Sequence, residues 1–445
     1  MEEILTPRDM AVVDALAGNE AALVEAAGRA VARAVMRRFR PCRVVVLAGP
    51  GNNGADGRVA GRYLALAGWP VKVLPVMEAT VGTVAEVARA ELVIDAVFGA
   101  GLSRDVRPEL AVLLGAAKKL VAVDVPSGVD GATGQVRGYA AQAELTVTFF
   151  RRKPGHLLYP GRGLCGELVL AQIGILDAIV DSVAPKTWRN GPWLWALPAR
   201  TATGHKYTSG DVTVLAGTMV GAARLACAAA RRGGAGMVTL LADAPMVVPE
   251  EGLIVRAEPL AALLEDLRRE VWVCGPGLGV LRAAGDLRAL TGAGKTIVAD
   301  ADALTACAGA PDKLHGVAVI TPHEGEFARV FGPVGHDKLA AARRASVACQ
   351  AVVVLKGADT VIAAPDGRAA MNDNAPAWLA TGGTGDVLAG LIAALLAQKM
   401  QPFEAACAGV WVHGEAARLA GAGLVAEDLP RWLPSALAAA SQSRR

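Results

Sequence analysis

Residues 44–66 read VVVLAGPGNNGADGRVAGRYLAL. A β-branched run, Val44 to Leu47, gives way to the loop GPGNNGADG (Gly49 to Gly57), which runs straight into a stretch of helical period. Strand, glycine loop and helix in that order open a parallel sheet, because a continuously apolar strand followed by a helix implies a sheet covered on both faces. Outward from this stretch the alternation continues. Apolar runs at Val71 to Pro75, Leu92 to Val97, Leu120 to Val125, Leu145 to Phe149 and Glu167 to Ala171 predict strands separated by Ala/Arg/Leu helices, so residues 1–180 read as a doubly wound α/β domain. Residues 181–202 carry Pro and Trp without any period and read as a linker. From Asp211 the alternation resumes: Val212 to Leu215, a helix at Ala222 to Arg232, then Met237 to Leu241, Val271 to Cys274, Thr296 to Ala299, Val317 to Ile320 and Val352 to Leu355. A second α/β domain over 203–445 follows, ending in Ala-rich helices near 384–398 and 403–419.

Composition excludes several classes. With 45 Lys+Arg against 42 Asp+Glu the net charge is +3, too balanced for a dedicated nucleic-acid binder, and no nucleic-acid partner is expected. The mean hydropathy of +0.37 raises a membrane reading. It fails on run length, since the longest apolar stretches, such as 387–397, fall short of the roughly 18 to 20 residues a spanning helix needs. The acidic start MEEILTPRDM lacks the basic and apolar regions of a signal peptide, so a cytoplasmic protein is expected. The 7 cysteines are scattered, without CxxC spacing, as in a reducing compartment. Glycine, at 51 residues, is in excess, and much of it falls in short clusters after strands.

Ligands of an open parallel sheet bind beyond the carboxyl ends of its strands. There the first domain carries GPGNNGADG, then Asp95 with GAGLSRD (Gly99 to Asp105), then DVPSGVDG (Asp124 to Gly131). Each loop alone reads as a turn. Together they gather Asn53, Asp95, Asp124 and Ser127 at one sheet edge, an oxygen-rich set suited to a hard cation or to acid/base work.

These loops, with LTPRDM and KPGH (Lys153 to His156), resemble the N-terminal domain of the NAD(P)HX epimerases, which act on hydrated nicotinamide cofactors. The resemblance runs to about Ile175 and implies a Rossmann-like fold. It further implies that Asn52, Asn53, Gly54, Ala55 and Asp56, with Gly99, Ala100, Gly101, Leu102, Ser103, Arg104 and Asp105, contact the hydrated dinucleotide. Asn53, Asp95 and Ser127 would hold a potassium ion, and Asp124 would be the catalytic carboxylate. Two positions depart from the family: Ala55, where Gly is usual, and Ala26, where Asn is usual.

The second domain opens with HKYTSGD and VGAARLACAAARRGGAG, followed by CGPGLG (Cys274 to Gly279), DADAL, TPHEGE (Thr321 to Glu326), LKGADT (Leu355 to Thr360) and ATGGTGDVLAG (Ala380 to Gly390). Glycines at 382, 383 and 385 before an apolar helix make a cradle of backbone N–H groups at the positive end of the helix dipole. Asp386, just after it, is either a helix cap or a base beside a transferring phosphoryl group. GAGKT (Gly292 to Thr296) lacks P-loop spacing and reads as a turn. His323 reads equally as a cap and as a site residue, while His413 and Cys274 read as core.

The set TPHEGE, LKGADT and TGGTGDVLAG resembles the ribokinase-like kinases and, within them, the nucleotide-dependent NAD(P)H-hydrate dehydratases, over about Thr203 to Leu419. The resemblance implies that Ala222, Gly277, His323 and Asp386 contact S-NADHX or S-NADPHX. It places Lys356, Gly357, Ala358, Asp359 and Thr360, with Gly383, Thr384 and Gly385, on ADP or ATP with Mg2+. Asp386 would be the base, ADP the favoured nucleotide, and the protein a homo-oligomer. The competing reading is a vitamin or sugar kinase fused to a non-catalytic Rossmann-like binding module; it predicts a stable phosphorylated product.

Overall fold

The computed structural model describes residues 2–76, 81–199 and 203–442. The chain divides into two compact units, Met1–Thr187 and Trp188–Arg445.

In the first unit six strands, β1 (Val44–Ala48), β2 (Val71–Pro75), β3 (Leu92–Ala96), β4 (Leu120–Val123), β5 (Leu145–Phe149) and β6 (Glu167–Ala171), form one sheet. Its order is β2-β1-β3-β4-β5-β6, and every pairing is parallel. β1, β3, β4 and β5 are buried along their whole length, Asp95 of β3 and Thr146 and Thr148 of β5 included. Two helices, Pro7–Ala17 and Glu20–Arg38, precede the sheet. The first is fixed by a reciprocal cap, in which Thr6 Oγ1 accepts from the Asp9 N–H and Asp9 Oδ2 accepts from the Thr6 N–H.

The second sheet has ten strands in the order β10-β9-β8-β11-β12-β13-β14-β15-β16-β7. They are β7 (Thr187–Arg189), β8 (Asp211–Leu215), β9 (Met237–Leu241), β10 (Ile254–Arg256), β11 (Val271–Cys274), β12 (Thr296–Ala299), β13 (Val319–Ile320), β14 (Val352–Leu355), β15 (Val361–Ala363) and β16 (Ala369–Met371). From β10 to β14 the pairing is parallel; β15 and β16 join antiparallel. The helix Thr384–Ala397 is apolar all round, and from Val387 to Ala397 every residue is buried, against the helix Val220–Arg232 among others. A further helix, Leu429–Gln442, follows the two that the sequence suggests. Among the described residues no helix is long and apolar enough to cross a membrane.

Over its described part the stretch 181–202 is shared between the two units. Val180 and Val183 pack in the core of the first unit, whereas Trp195 is 3% exposed in the core of the second. Trp195 Nε1 donates to the buried Asn190 Oδ1 at 3.1 Å. Trp195 therefore belongs to the second core while Trp193 stays 43% exposed, and the division falls at Thr187/Trp188. Residues 200–202 lie outside the described residues.

Gly390 sits where the helices 384–397 and 220–232 cross, and a Cβ there would strike the Ala226 carbonyl. Gly390→Val should therefore cost about 1–3 kcal/mol through forced separation of the helices, read as a lower denaturation midpoint in urea; an unchanged midpoint would contradict this packing.

Candidate functional site

The helix Asn52–Leu66 starts where β1 ends, and its N-cap, Gly51, offers no side chain to its free N–H groups. A cavity of about 950 Å³ opens at that point. Asn52, Asn53 and Asp56 line it, as do Gly99 to Arg104, Asp124 and Lys153; Met10, Asp14 and Leu23 contribute the wall from the two leading helices. Gly54, Ala55 and Asp105 are not among its lining residues. Gly54 instead packs its α-carbon on the Gly49 carbonyl, an approach that only glycine allows. Neither departure from the family reaches the cavity, since Ala26 faces a separate groove beside Arg29 and β6.

Asp124 follows β4 directly and takes a left-handed backbone, φ 67°, a conformation that Asp tolerates better than most residues. Its Oδ1 accepts from Lys153 Nζ at 2.8 Å and Thr148 Oγ1 at 2.9 Å, and its Oδ2 from the Ala100 N–H at 2.9 Å. His156 holds the main chain: its Nδ1 accepts from the Lys153 N–H, which leaves Nε2–H to donate to the Asp124 carbonyl at 2.7 Å. Burial opposes the Asp124 charge, but the Lys153 ammonium and these donors outweigh it and hold the carboxyl at about 2. His156 is pushed down to about 4 by burial and by Lys153, and so stays neutral. Asp56 goes the other way. Burial, then the charges of Asp124 and Asp14, push its carboxyl up to about 8. One cavity thus holds an anionic and a protonated carboxyl at neutral pH.

Asp95 is fully buried behind the cavity. It accepts from the Ser127 hydroxyl at 2.6 Å and the Ser127 N–H at 2.8 Å, and burial raises it to about 6. Asn53 Nδ2 is buried without a partner. Asp95, Ser127 and Asn53 carry carboxylate, hydroxyl and amide oxygens, the donor kinds a hard cation takes, whereas the unpartnered Asn53 Nδ2 is a hydrogen-bond donor and no ligand. The residues fit a potassium ion in kind.

In the second unit β8 and β11 are neighbours, and the loops after them meet: the Met219 N–H donates to the Gly277 carbonyl at 3.1 Å. Ala222 lies one turn into the helix that starts at Val220. The helix Thr384–Ala397 starts from Gly383, whose φ of 89° suits glycine alone, and no side chain caps it. Thr384 turns its hydroxyl to the carbonyls of Leu379 and Thr381, so only its main chain is left for a ligand. A Cβ on Gly385 would lie 3.2 Å from Lys356 Nζ and 3.6 Å from Asp300 Oδ2, so the cradle touches both.

Lys356 Nζ pairs with Asp300 Oδ1 at 2.9 Å and lies 3.9 Å from Glu326 Oε2. Burial would neutralise this lysine, but Asp300 and Glu326 hold it charged, above its ordinary value. Asp386, in the first turn of the cradle helix, is raised to about 6, mainly by burial and next by the Asp300 charge, with Lys356 pulling the other way. His323 caps the helix Glu324–Phe331, its Nδ1 accepting from the Gly325 N–H while Glu326 Oε2 accepts from the His323 N–H. Its ring remains 55% exposed, with Nε2 lying 3.5 Å from Glu326 Oε1. In the 356–360 turn the Gly357 N–H donates to Thr360 Oγ1, and Asp359 is tied to Lys338 at 2.6 Å.

Thr148, Lys153, His156 and Asp14 in the first unit, and Asp300, Glu326 and Lys338 in the second, join these sites without a role assigned from sequence. KPGH, DADAL and TPHEGE contain most of them, immediately after strands. Asp14 and Lys338 stand on helices with no local signal. Cys274 is fully buried, and burial pushes its thiol upward, which rules out a nucleophile. Residues 292–296 form the turn into β12.

Two family models match the chain: NAD(P)H-hydrate dehydratase over residues 212–437, and the YjeF-related protein N-terminus over 20–89 and 77–155. The bifunctional NAD(P)H-hydrate repair enzyme Nnr of Thermofilum pendens is 35% identical, over 95% of this chain and 92% of its own length. That of Escherichia coli is 36% identical, over 86% and 83%. A crystal structure of the ADP/ATP-dependent NAD(P)H-hydrate dehydratase from Bacillus subtilis, co-crystallised with ATP/Mg2+, is 30% identical over 55% of this chain and 94% of that one, with a TM-score of 0.47. The dehydratase match over the second unit displaces the vitamin or sugar kinase reading. With an epimerase-type unit and a ribokinase-like dehydratase unit in one polypeptide, the chain belongs to the bifunctional NAD(P)H-hydrate repair enzymes.

Proposed function

We propose that residues 1–187 interconvert R and S NADHX and NADPHX in the cavity under Asp124, and that residues 188–445 dehydrate the S epimer with ADP, or ATP, using Asp386 as base. The observation that carries the first half is that one cavity holds both Asp56 and Asp124, burial pushing the first toward its protonated form while Lys153 keeps the second ionised. Such a pair divides acid work from charge stabilisation. Protonated Asp56 donates to the leaving C6 hydroxyl, and anionic Asp124, fixed by Lys153, faces the positive charge that develops on the dihydropyridine ring. Water then adds to C6 on the other face, and the proton it gives up returns by way of solvent to the ionised Asp56 carboxylate, which restores the acid. Asn53, Asp95 and Ser127 would hold potassium, which supplies fixed positive charge beside the loop that carries Asn52 to Asp56.

In the second unit Asp386 accepts the proton of the C6 hydroxyl as its oxygen takes the nucleotide's terminal phosphoryl. The C6–O bond then breaks with its electrons on phosphate, a proton leaves C5, and the double bond returns. Cradle N–H groups of Gly383 to Gly385 and the Lys356 ammonium face the transferring group, while Lys356 to Thr360 bound the nucleotide. Among the described residues no group of three or more His, Cys, Asp or Glu side chains forms a ready-made metal cage. Asp300, Glu326 and Asp386 nevertheless leave the site acidic around one lysine, which suits Mg2+ arriving on the nucleotide and neutralising its phosphates. Ala222, Gly277 and His323 would position the S hydrate.

Mixed R and S NADHX with ADP or ATP, followed by chromatography, tests both halves. Wild type should consume both epimers; Asp386→Asn should consume neither yet still exchange them, and Asp124→Ala should leave R decaying only at its spontaneous rate. Rapid loss of R in Asp124→Ala would remove the epimerase assignment. The two units should also show opposite pH limbs. Epimerisation needs protonated Asp56 and should fall as pH rises through about 8, whereas dehydration needs ionised Asp386 and should fall as pH drops below about 6. Lys153→Met, followed by carbonyl NMR of Asp124, should move that carboxyl from about 2 to well above its ordinary value, because burial remains and the counter-charge is gone. An unmoved titration would show that Lys153 is not what holds the charge.

A further inference from the structure

A cleft of about 1010 Å³ runs along one face of the helix Val220–Arg232, between that helix, residues 235–238 and 250–254, and residues 427–431. Its helical stripe is Gly221, Arg224, Leu225, Ala228 and Arg232, the spacing of a single face, with Arg231 beside it. The charge is one-sided. Lys206, Arg224, Arg231, Arg232 and Arg431 line the cleft against Glu250 and Glu427. Glu250 is taken by Arg224, with Nη2 to Oε1 at 2.6 Å. Arg231, Arg232 and Arg431 are exposed, and among the described residues none makes an ion pair. The helix dipole favours cations in the last turn and accounts for Arg231 and Arg232 alone. Lys206 and Arg431 come from other segments and point to an anionic ligand.

The cleft adjoins the reaction site. Leu225 lines it, and Leu225 Cδ1 would lie 2.8 Å from a Cβ on Gly383, the first glycine of the phosphoryl cradle's helix. Gly221, at the other end of the stripe, precedes Ala222, placed on the substrate above. From Ala222 to Arg232 the helix runs ~15 Å at about 1.5 Å per residue, room for the part of a dinucleotide beyond its nicotinamide ribose. The planar guanidinium fork matches a phosphate's oxygens.

We propose that this cleft seats the adenosine end of the hydrated dinucleotide, and that Arg231, Arg232 and Arg431 select the substrate carrying a 2′-phosphate, so that the dehydratase prefers S-NADPHX to S-NADHX. The proposal rests on the dehydratase reading above. The test measures kcat/KM for purified S-NADPHX and S-NADHX in the full-length protein, in Arg231→Ala/Arg431→Ala, and in Arg231→Glu/Arg431→Glu. Wild type should favour S-NADPHX, and the alanine pair should lose at least about tenfold on that substrate, the weight of a charge-assisted contact, with S-NADHX turnover unchanged as the internal check on folding. Adenosine 2′,5′-bisphosphate should inhibit in competition with S-NADPHX, less so at high salt, and should not compete with ADP. An unchanged preference, equal losses on both substrates, or competition with ADP alone would overturn it. So would a changed sedimentation mass in the glutamate pair, which would mark the cleft as a seam between copies of the chain. If wild type dehydrates neither substrate, the dehydratase reading fails and not this one alone.

Discussion

A parallel sheet that is wound outward from an interior strand in both directions has to part its loops where the winding reverses, since right-handed crossovers carry successive connections to opposite faces. Both units obey that constraint. In the first, the reversal lies between β1 and β3, and the cavity opens there between the 49–52 and 97–104 loops. In the second it lies between β8 and β11, where the loops after these strands meet at Met219 and Gly277. The chemistry follows from this geometry. Asp124, Asp300 and Lys356 each stand immediately after a strand, and Lys153 lies a few residues beyond β5. Side chains far apart in sequence reach one point because their strands share an edge.

That constraint also explains what the sequence discloses. Fully buried strands of four or five residues announce themselves as apolar runs, and the loops after them are named as soon as the strands are. β15 and β16, three residues each, are too short to carry a period, and the helix Leu429–Gln442 hides behind Pro430 and Pro434. The segment before β8 misleads for a different reason. Its Trp and Pro residues break every local pattern, yet Trp195 is held by contacts distant in sequence, among them its ring against Trp411. Charge states are the least legible part. Nothing in GADG announces that Asp56 is protonated; that follows from two other carboxyls brought near it by the fold and from its own burial.

Joining the two activities has a chemical rationale. A dehydratase that accepts only the S hydrate leaves R untouched, and R and S both arise when the ring takes up water. An epimerase unit in the same chain keeps the dehydratase supplied at matched stoichiometry.

The two units use the same pair of residue types to opposite ends. In the first, Lys153 bonds Asp124 itself, the carboxylate proposed for the epimerisation, and holds it ionised at about 2 despite its burial. Such a group is too weak a base to carry a proton away, and its worth lies in its fixed charge. In the second, the buried lysine is committed to Asp300, at 2.9 Å, and Asp386 stands beside the pair without bonding Lys356. Asp300 then repels the Asp386 charge while Lys356 attracts it, and burial tips the balance upward to about 6. A carboxylate at that value is ionised in neutral solution yet basic enough to accept a hydroxyl proton as the phosphoryl group arrives. Whether the lysine grips the proposed catalytic carboxylate or its neighbour therefore decides whether that carboxylate serves as a charge or as a base.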